Sequence, residues 1–325
     1  MVAWSIGQLQ TSGAKAGGRL PALLGAVCLE AAPRAAGLEA QHVSVMLHAC
    51  GKIGLRNRCA FGPRLIKGCS KPYPVCFSRA RMHRPFAEAA VRQLVSRLHQ
   101  FRPQELFNAV YGLSLLQMPV ASPEELADVE AEVAARIHEF KSQELVLTMW
   151  SLQRLGFAPR ELLLRAEVQL QHQRIGELMP QHLAILLWVF GEAGQHPSAA
   201  TAAELLRELR AKLPLLNPRQ LTMVLSSLVR LRLLPDPSLL EDLEASLVRR
   251  LPNVSAAEAA QCLWAFAAMD HRPGTLLLAM MGEPEVGYPL VMHDRLGLEL
   301  MHQTGRPDPC SSCRISSPGQ WTRPE

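Results

Sequence analysis

The chain of 325 residues is poor in aromatic residues, and it lacks the motifs and long apolar runs that mark several large protein classes. Aromatic side chains make up only 5% of it. No uninterrupted apolar stretch of about 18 residues occurs, which argues against a membrane-spanning helix. The signatures GxxxxGK(S/T), GxGxxG, HExxH and GxSxG are absent. We therefore expect no membrane partner, no cofactor and no enzymatic activity.

The eight cysteines show no disulfide framework. Cys50 and Cys262 fall on apolar helical patterns, where small buried thiols are common. Four others are irregularly spaced: Cys28, Cys59, Cys69 and Cys76. Cys310 and Cys313 form a CxxC pair, whereas a structural zinc site usually takes two such pairs. This pattern predicts a reducing compartment and no metal site.

Positive charge is concentrated in one segment. Residues 51–85 contain nine Lys and Arg residues and no acid. The whole chain carries +5, so the remainder carries a net charge of −4. The basic composition therefore gives no general support to nucleic-acid binding by the rest of the chain.

A helical pattern recurs with a period of about 38 residues. Equivalent positions near the start of each unit, which we call anchors, are Gln41, Gln104, Gln143, Gln181, Arg219 and Ala257. The successive gaps between anchors are 63, 39, 38, 38 and 38 residues. Such a period is typical of helical hairpins that bury their apolar faces by stacking. The sequence therefore predicts an all-α fold, a right-handed or gently curved α-solenoid of about six helical-hairpin repeats.

Fixed offsets from the anchor carry characteristic residues. At offset +7 stand His48, Tyr111, Trp150, Trp188, Ser226 and Trp264, which we interpret as core packing rather than a platform for bases. At +13 stand Gly54, Gln117, Gly156, Gly194, Arg232 and Asp270, where the first helix of each unit is expected to end. At +16 the last four units have proline, which suits the start of a second helix.

The period also predicts the domain organisation. Residues 1–37 are expected to form a partial N-terminal repeat or cap, residues 38–281 the repeat array, and residues 282–325 a disordered tail. The long first gap predicts an insertion at about residues 56–82, between the two helices of one repeat. This basic insertion is either a functional finger or sequence without an evolved role. Second helices are predicted at 20–32, 83–100, 123–137, 159–171, 199–212 and 237–250.

One face of the first helices, at offsets +1, +4, +8 and +11, varies between units. Variation at fixed positions is typical of a modular RNA-binding surface, in which each unit contacts one base. It is equally typical of a passive solvated face, and the largely apolar +4 position also suits protein docking. The candidate RNA-binding residues on this face are His42, Lys52, Asn108, Arg154, His182, Gln220, Arg230 and Gln261.

The segments PQELFNAVYGLSLL, SQELVLTMWSLQRLGFAP and AAQCLWAFAAM resemble the octotricopeptide repeat. That family is related to FAST-kinase-like and RAP-domain proteins and to repeats of the RNA-editing mediator complex. Asn108 matches the asparagine of the family core, and the other units depart from it. The resemblance implies organellar RNA binding in transcript stability, processing, editing or translation. It also allows a structural role in a mitochondrial ribosome.

Two functions remain open at this point. The first is a non-catalytic organellar RNA-binding protein, with single-stranded RNA and other ribonucleoprotein subunits as partners. The second is an α-solenoid scaffold for proteins. The resemblance favours the first and the charge distribution favours the second, and we choose RNA binding. The expected location is the mitochondrion, or alternatively the chloroplast, although no targeting segment is evident in the chain.

Overall fold

A computed structural model describes residues 19–57, 74–116, 121–172 and 175–274, and within these ranges the chain is helical and has no strand. The helices are α1 (Arg19–Ala31), α2 (Ala40–Asn57), α3 (Pro74–Ser96), α4 (Pro103–Leu116), α5 (Pro123–Ala135), α6 (Ser142–Arg154), α7 (Arg160–His172), α8 (Pro180–Ala193), α9 (Ala199–Lys212), α10 (Pro218–Arg230), α11 (Pro237–Val248) and α12 (Ala256–Ala268). The all-α prediction is confirmed.

The helices form two layers. The even-numbered helices α2 to α12 are the predicted first helices, and each packs on the next in chain order. Helices α1, α3, α5 and α7 pack on one another in the second layer, while α9 and α11 pack against the turn that precedes their own hairpin. Neighbour-to-neighbour packing is the architecture of an α-solenoid, as the period predicts. Its handedness and curvature stay predictions.

The ends of the first helices follow the offset rule. Residues at +13 take positive φ in four units: 87° at Gly156, 63° at Gly194, 49° at Arg232 and 57° at Asp270. This left-handed conformation ends a helix, and glycine adopts it without the steric cost of a Cβ. The prediction fails in the first unit, because Gly54 lies inside α2, which continues to Asn57.

A short 3₁₀ turn follows each second helix from α3 onward and repeats with the same period. These turns are Leu98–Gln100, Ile137–Glu139, Ile175–Glu177, Leu213–Leu215 and Leu251–Asn253. The residue just beyond the turn is buried and apolar in each of these units: Phe101, Phe140, Leu178, Leu216 and Val254. The turn therefore closes each unit with an apolar side chain before the next first helix begins.

A basic side chain near the end of a second helix bonds to the backbone of the preceding unit. The donor–acceptor pairs are Arg97 with the Leu38 carbonyl, Arg136 with Phe101, Lys212 with Gly176 and Arg250 with Pro214, at 2.6 to 3.1 Å. Each donor also bonds to the residue four positions before it. We call these four residues the inter-unit clamps. Their charged N–H groups donate hydrogen bonds to backbone carbonyls and so link neighbouring units.

The core confirms the predicted burial of Cys50 and Cys262, both 0% exposed. The Cys50 thiol lies 3.2 Å from the Cys28 thiol, which joins α1 to α2. This hydrogen bond and burial raise the pKa of Cys50 well above its ordinary value. Burial likewise raises the pKa of Cys262 to about 11. These thiols therefore serve as small packing groups.

Several predictions concern residues outside the described ranges. They include residues 1–18, the middle of the basic insertion, the tail from 282 onward and its CxxC pair. The helix after the insertion begins at Pro74, earlier than the predicted residue 83, and includes Pro85. The remaining predicted second helices agree with the structure within two residues at each end.

Candidate nucleic-acid interface

The solvent-facing side of the even-numbered helices is formed by offsets 0, +4, +7 and +11, which recur at helical spacing. We call this surface the first-helix face. The anchors at offset 0 are exposed, and most residues at the other three offsets are half-buried. Leu115 at +11 and Ser226 at +7 are buried exceptions.

Offset +8 does not belong to this face, contrary to the sequence-based expectation. Its residues Ala49, Gly112, Ser151, Val189, Ser227 and Ala265 are all buried. A Cβ built on Gly112 would lie 2.4 Å from the Leu47 carbonyl carbon, so α2 and α4 nearly touch there. The run of small residues at +8 indicates close packing between first helices, and this signal was present in the sequence.

Offset +1 supplies helix-capping groups in four units. The side chains of Glu105, Glu144, Gln220 and Glu258 accept hydrogen bonds from the backbone N–H three residues before them, at 2.9 to 3.1 Å. In α10 and α12 the bond is reciprocal, because Asn217 and Ser255 accept from the N–H of Gln220 and Glu258. The sequences NPRQ and SAAE contain this capping-box signature. The candidate Gln220 thus has a structural partner for its amide oxygen.

The two histidines at +1 differ from each other. His182 is 5% exposed, and burial lowers its pKa. It is therefore a neutral side chain enclosed by the protein near neutral pH. His42 is exposed, and its Nδ1 lies 3.9 Å from a carboxylate oxygen of Glu39. Of these two candidates, only His42 is accessible to a ligand from solvent.

The cations at +11 are partly engaged within the protein. The Arg154 guanidinium lies 4.8 Å from the centre of the Trp150 ring, within cation–π distance. Arg230 forms an ion pair with Glu192 of α8, and burial lowers the pKa of its guanidinium. Lys52 is half-buried, so all three candidates have limited freedom to meet a ligand.

The two polar candidates at +4 lie on different helices. Asn108 of α4 is half-buried, whereas Gln261 of α12 is exposed. The Gln261 amide donates a hydrogen bond of 2.7 Å to the hydroxyl of Ser226 on α10. The other +4 residues, Val45, Leu147, Ile185 and Met223, are apolar and half-buried. The candidates therefore form a row along the stack, one or two to a helix, rather than a cluster.

Aromatic residues at +7 form a ladder across α2, α4 and α6. The ring of Tyr111 lies 5.7 Å from His48 and 5.8 Å from Trp150, with interplanar angles of 31° and 32°. Burial lowers the pKa of His48 to about 4, aided by the nearby Lys52, and burial raises the pKa of Tyr111. His48 is therefore neutral near pH 7, and the ladder is an uncharged packing contact between units.

The tryptophans at +7 pack against the core, as interpreted from sequence, but they are not fully buried. The fully buried large aromatics are phenylalanines: Phe86, Phe101, Phe140, Phe190 and Phe266. Trp150, Trp188 and Trp264 pack against this core but keep part of each ring at the surface. The first-helix face therefore carries half-buried indole side chains.

Within the described ranges, no helix combines the length and hydropathy needed to cross a bilayer. In the same ranges, no three histidine, cysteine or carboxylate side chains come together as metal ligands.

The repeat array is similar to one family of known proteins. Residues 127–272 match the model of the Tbc2 translation factor, N-terminal domain. The match begins within α5 and runs through the end of α12. Among curated proteins, none matches the chain.

Proposed function

We propose that this chain is a non-catalytic helical-repeat protein that binds single-stranded RNA through its first-helix face and acts in organellar translation or transcript maintenance. The observation that carries the proposal is the match of residues 127–272 to the N-terminal domain of a translation factor. The mitochondrion is the favoured compartment, and the chloroplast is the alternative.

The geometry of the first-helix face supports this function. Even-numbered helices repeat at a constant period, so their side chains form an extended row that can follow a polymer. The row combines half-exposed aromatic rings with arginine and amide side chains. Base stacking and phosphate pairing use these groups when proteins bind single strands.

A scaffold within a ribonucleoprotein is the second candidate. Leu147, Ile185 and Met223 give neighbouring units a half-buried apolar row, which fits a protein helix better than it fits RNA. Helix α5 also carries five acids and no base between Pro123 and Ala135, and four of the acids lie outside the core, Glu130 being buried. Such a surface repels phosphate and suits a basic protein partner.

Fluorescence anisotropy with a labelled pool of single-stranded RNA tests the two candidates. The full chain is compared at two salt concentrations with a variant that lacks residues 58–73, because this deletion spares helices α2 and α3. Salt-dependent binding that survives the deletion is the expected result. If binding is lost on deletion, RNA binding would be assigned to the basic insertion. No binding by either form would reject the RNA proposal and favour the scaffold.

A further inference from the structure

We propose that RNA is held across α8, α10 and α12, where bases stack on Trp188 and Trp264 of the first-helix face and phosphates pair with Arg219 on that face and with Arg232 just beyond the end of α10. We call these four residues the Trp–Arg patch. The inference rests on the proposed RNA binding and specifies which units carry it.

The rings at +7 divide into two groups. In α2, α4 and α6 the side chains at +7 stack on one another, and the Arg154 guanidinium stacks on the Trp150 ring. Trp188 and Trp264 have no aromatic ring or guanidinium stacked on them among the described residues. Both are half-buried, so each fixed indole keeps unstacked surface. A flat base can use that surface, because every base has a π-face.

Ser226 occupies the +7 position of α10, between the two tryptophans. Its hydroxyl is buried under the Gln261 amide, which donates to it. Serine has no ring, so no aromatic side chain stands at the +7 position between Trp188 and Trp264. The exposed Gln261 amide lies three residues before Trp264, on the same side of α12, where it can meet the edge of a base stacked on that ring.

The charge of α10 complements a phosphate backbone. Between Asn217 and Pro235 the chain contains Arg219, Arg230 and Arg232 and no acid. Arg230 is neutralised by Glu192, whereas Arg219 and Arg232 are exposed and form no ion pair among the described residues. Helix α10 has 13 residues and is about 20 Å long. Arginines at its two ends can therefore contact phosphates that are separated by a few nucleotides.

The other units offer a poorer site. Their rings are already stacked. The first turns of α4 and α6 carry Glu105 and Glu144, as that of α12 carries Glu258, whereas the first turn of α10 has no acid. The anchor positions there are uncharged glutamines, Gln104 and Gln143. Only α10 has an arginine at the anchor, which places a cation on the exposed stripe of the helix.

The test uses the full chain and a labelled single-stranded RNA of random sequence. Trp188→Leu and Trp264→Leu are each expected to weaken binding about fivefold or more, as loss of one stacked base does. Trp150→Leu is the matched control and should change affinity by less than about twofold, because Tyr111 and Arg154 already cover its ring. Trp188→Phe keeps an aromatic face and should restore most of the affinity. Circular dichroism melts confirm that each variant is folded.

A second measurement avoids any dependence on the leucine variants. Changing Arg219 and Arg232 together to glutamine should reduce the slope of log affinity against log salt by about 1.4, for two lost phosphate contacts. An unchanged slope, or equal affinity of wild type and Trp188→Leu, would overturn the patch while leaving RNA binding intact. Absence of binding by the wild-type chain would overturn both proposals.

Discussion

The closest approach between first helices gives the sharpest stability prediction. Gly112 lies at the centre of the α2–α4 contact, where an added Cβ would lie 2.4 Å from the carbonyl carbon and oxygen of Leu47 and 2.6 Å from the N atom of His48. These are backbone atoms, so no side-chain rotation relieves the overlap. Gly51 faces the same contact, since its Cβ would lie 2.5 Å from the Gly112 oxygen.

Gly112→Ala must therefore move the two helices apart. Ordinary van der Waals contact begins near 3.4 Å, so the separation must grow by about 1 Å, and a gap of that size forfeits up to about half of the local dispersion energy. We expect the free energy of unfolding to fall by about 3 kcal/mol, the upper part of the range for overpacked cores. This corresponds to a change of about 150-fold in the ratio of folded to unfolded chain.

Urea unfolding followed by circular dichroism measures this loss, and Gly191→Ala is the matched control. Gly191 also lies inside a first helix, but its Cβ would find its nearest neighbour at 3.6 Å, an ordinary contact. Alanine there should stabilise the chain by up to about 1 kcal/mol through helix propensity. If the two variants unfold within about 0.5 kcal/mol of each other, the backbone contact is not as close as described.

Three further predictions test the clamps, a buried histidine and a helix end. Arg136→Met should lower the unfolding free energy by about 2 kcal/mol, because it removes a charge-assisted bond to the Phe101 carbonyl. The exposed Arg207→Met should cost about 0.5 kcal/mol or less, and equal losses in urea unfolding would contradict the clamp role. The pKa of His48 is about 4 in the folded state, against an ordinary value of 6.5, so the unfolded state takes up the proton first as pH falls. Stability should therefore drop between pH 6.5 and 4, by up to about 3 kcal/mol. Urea unfolding across this pH range should show a smaller drop in His48→Phe, and an identical pH profile would refute the assignment. Arg232→Gly should raise the thermal midpoint, because it removes about 1 kcal/mol of left-handed strain, while Gly194→Ala should lower it. A lower midpoint for Arg232→Gly would show that the arginine makes compensating contacts.

Local features of the fold were predictable from sequence because they depend on residues close together in the chain. Leu145, Met149 and Leu152 share one helical face by spacing alone, and all three are fully buried. The helix ends at Gly156 and Gly194 follow from glycine's freedom to take positive φ. The capping boxes of α10 and α12 can also be recognised in the sequence, since each spans only four residues.

The candidate interface was less predictable, because exposure on a first helix depends on how the next unit packs against it. The period of the sequence shows that units repeat, but it does not give the rotation of one unit relative to the next. Offset +8 is buried because Gly112 meets Leu47 of another unit. Trp150 differs from Trp188 because the Tyr111 ring of the preceding unit stacks on it. Arg230 is unavailable to a ligand because it pairs with Glu192 of the preceding unit.

The amino-acid sequence by itself determined the helical class, the length of the unit and most helix ends, since these arise from interactions within about one helical turn. The tertiary structure decided which side chains serve as caps, clamps or packing and which remain available to a ligand. Those roles come from contacts between residues about 35 to 40 positions apart, such as Gln261 with Ser226 and Arg136 with Phe101. Such contacts exist only once successive units stack.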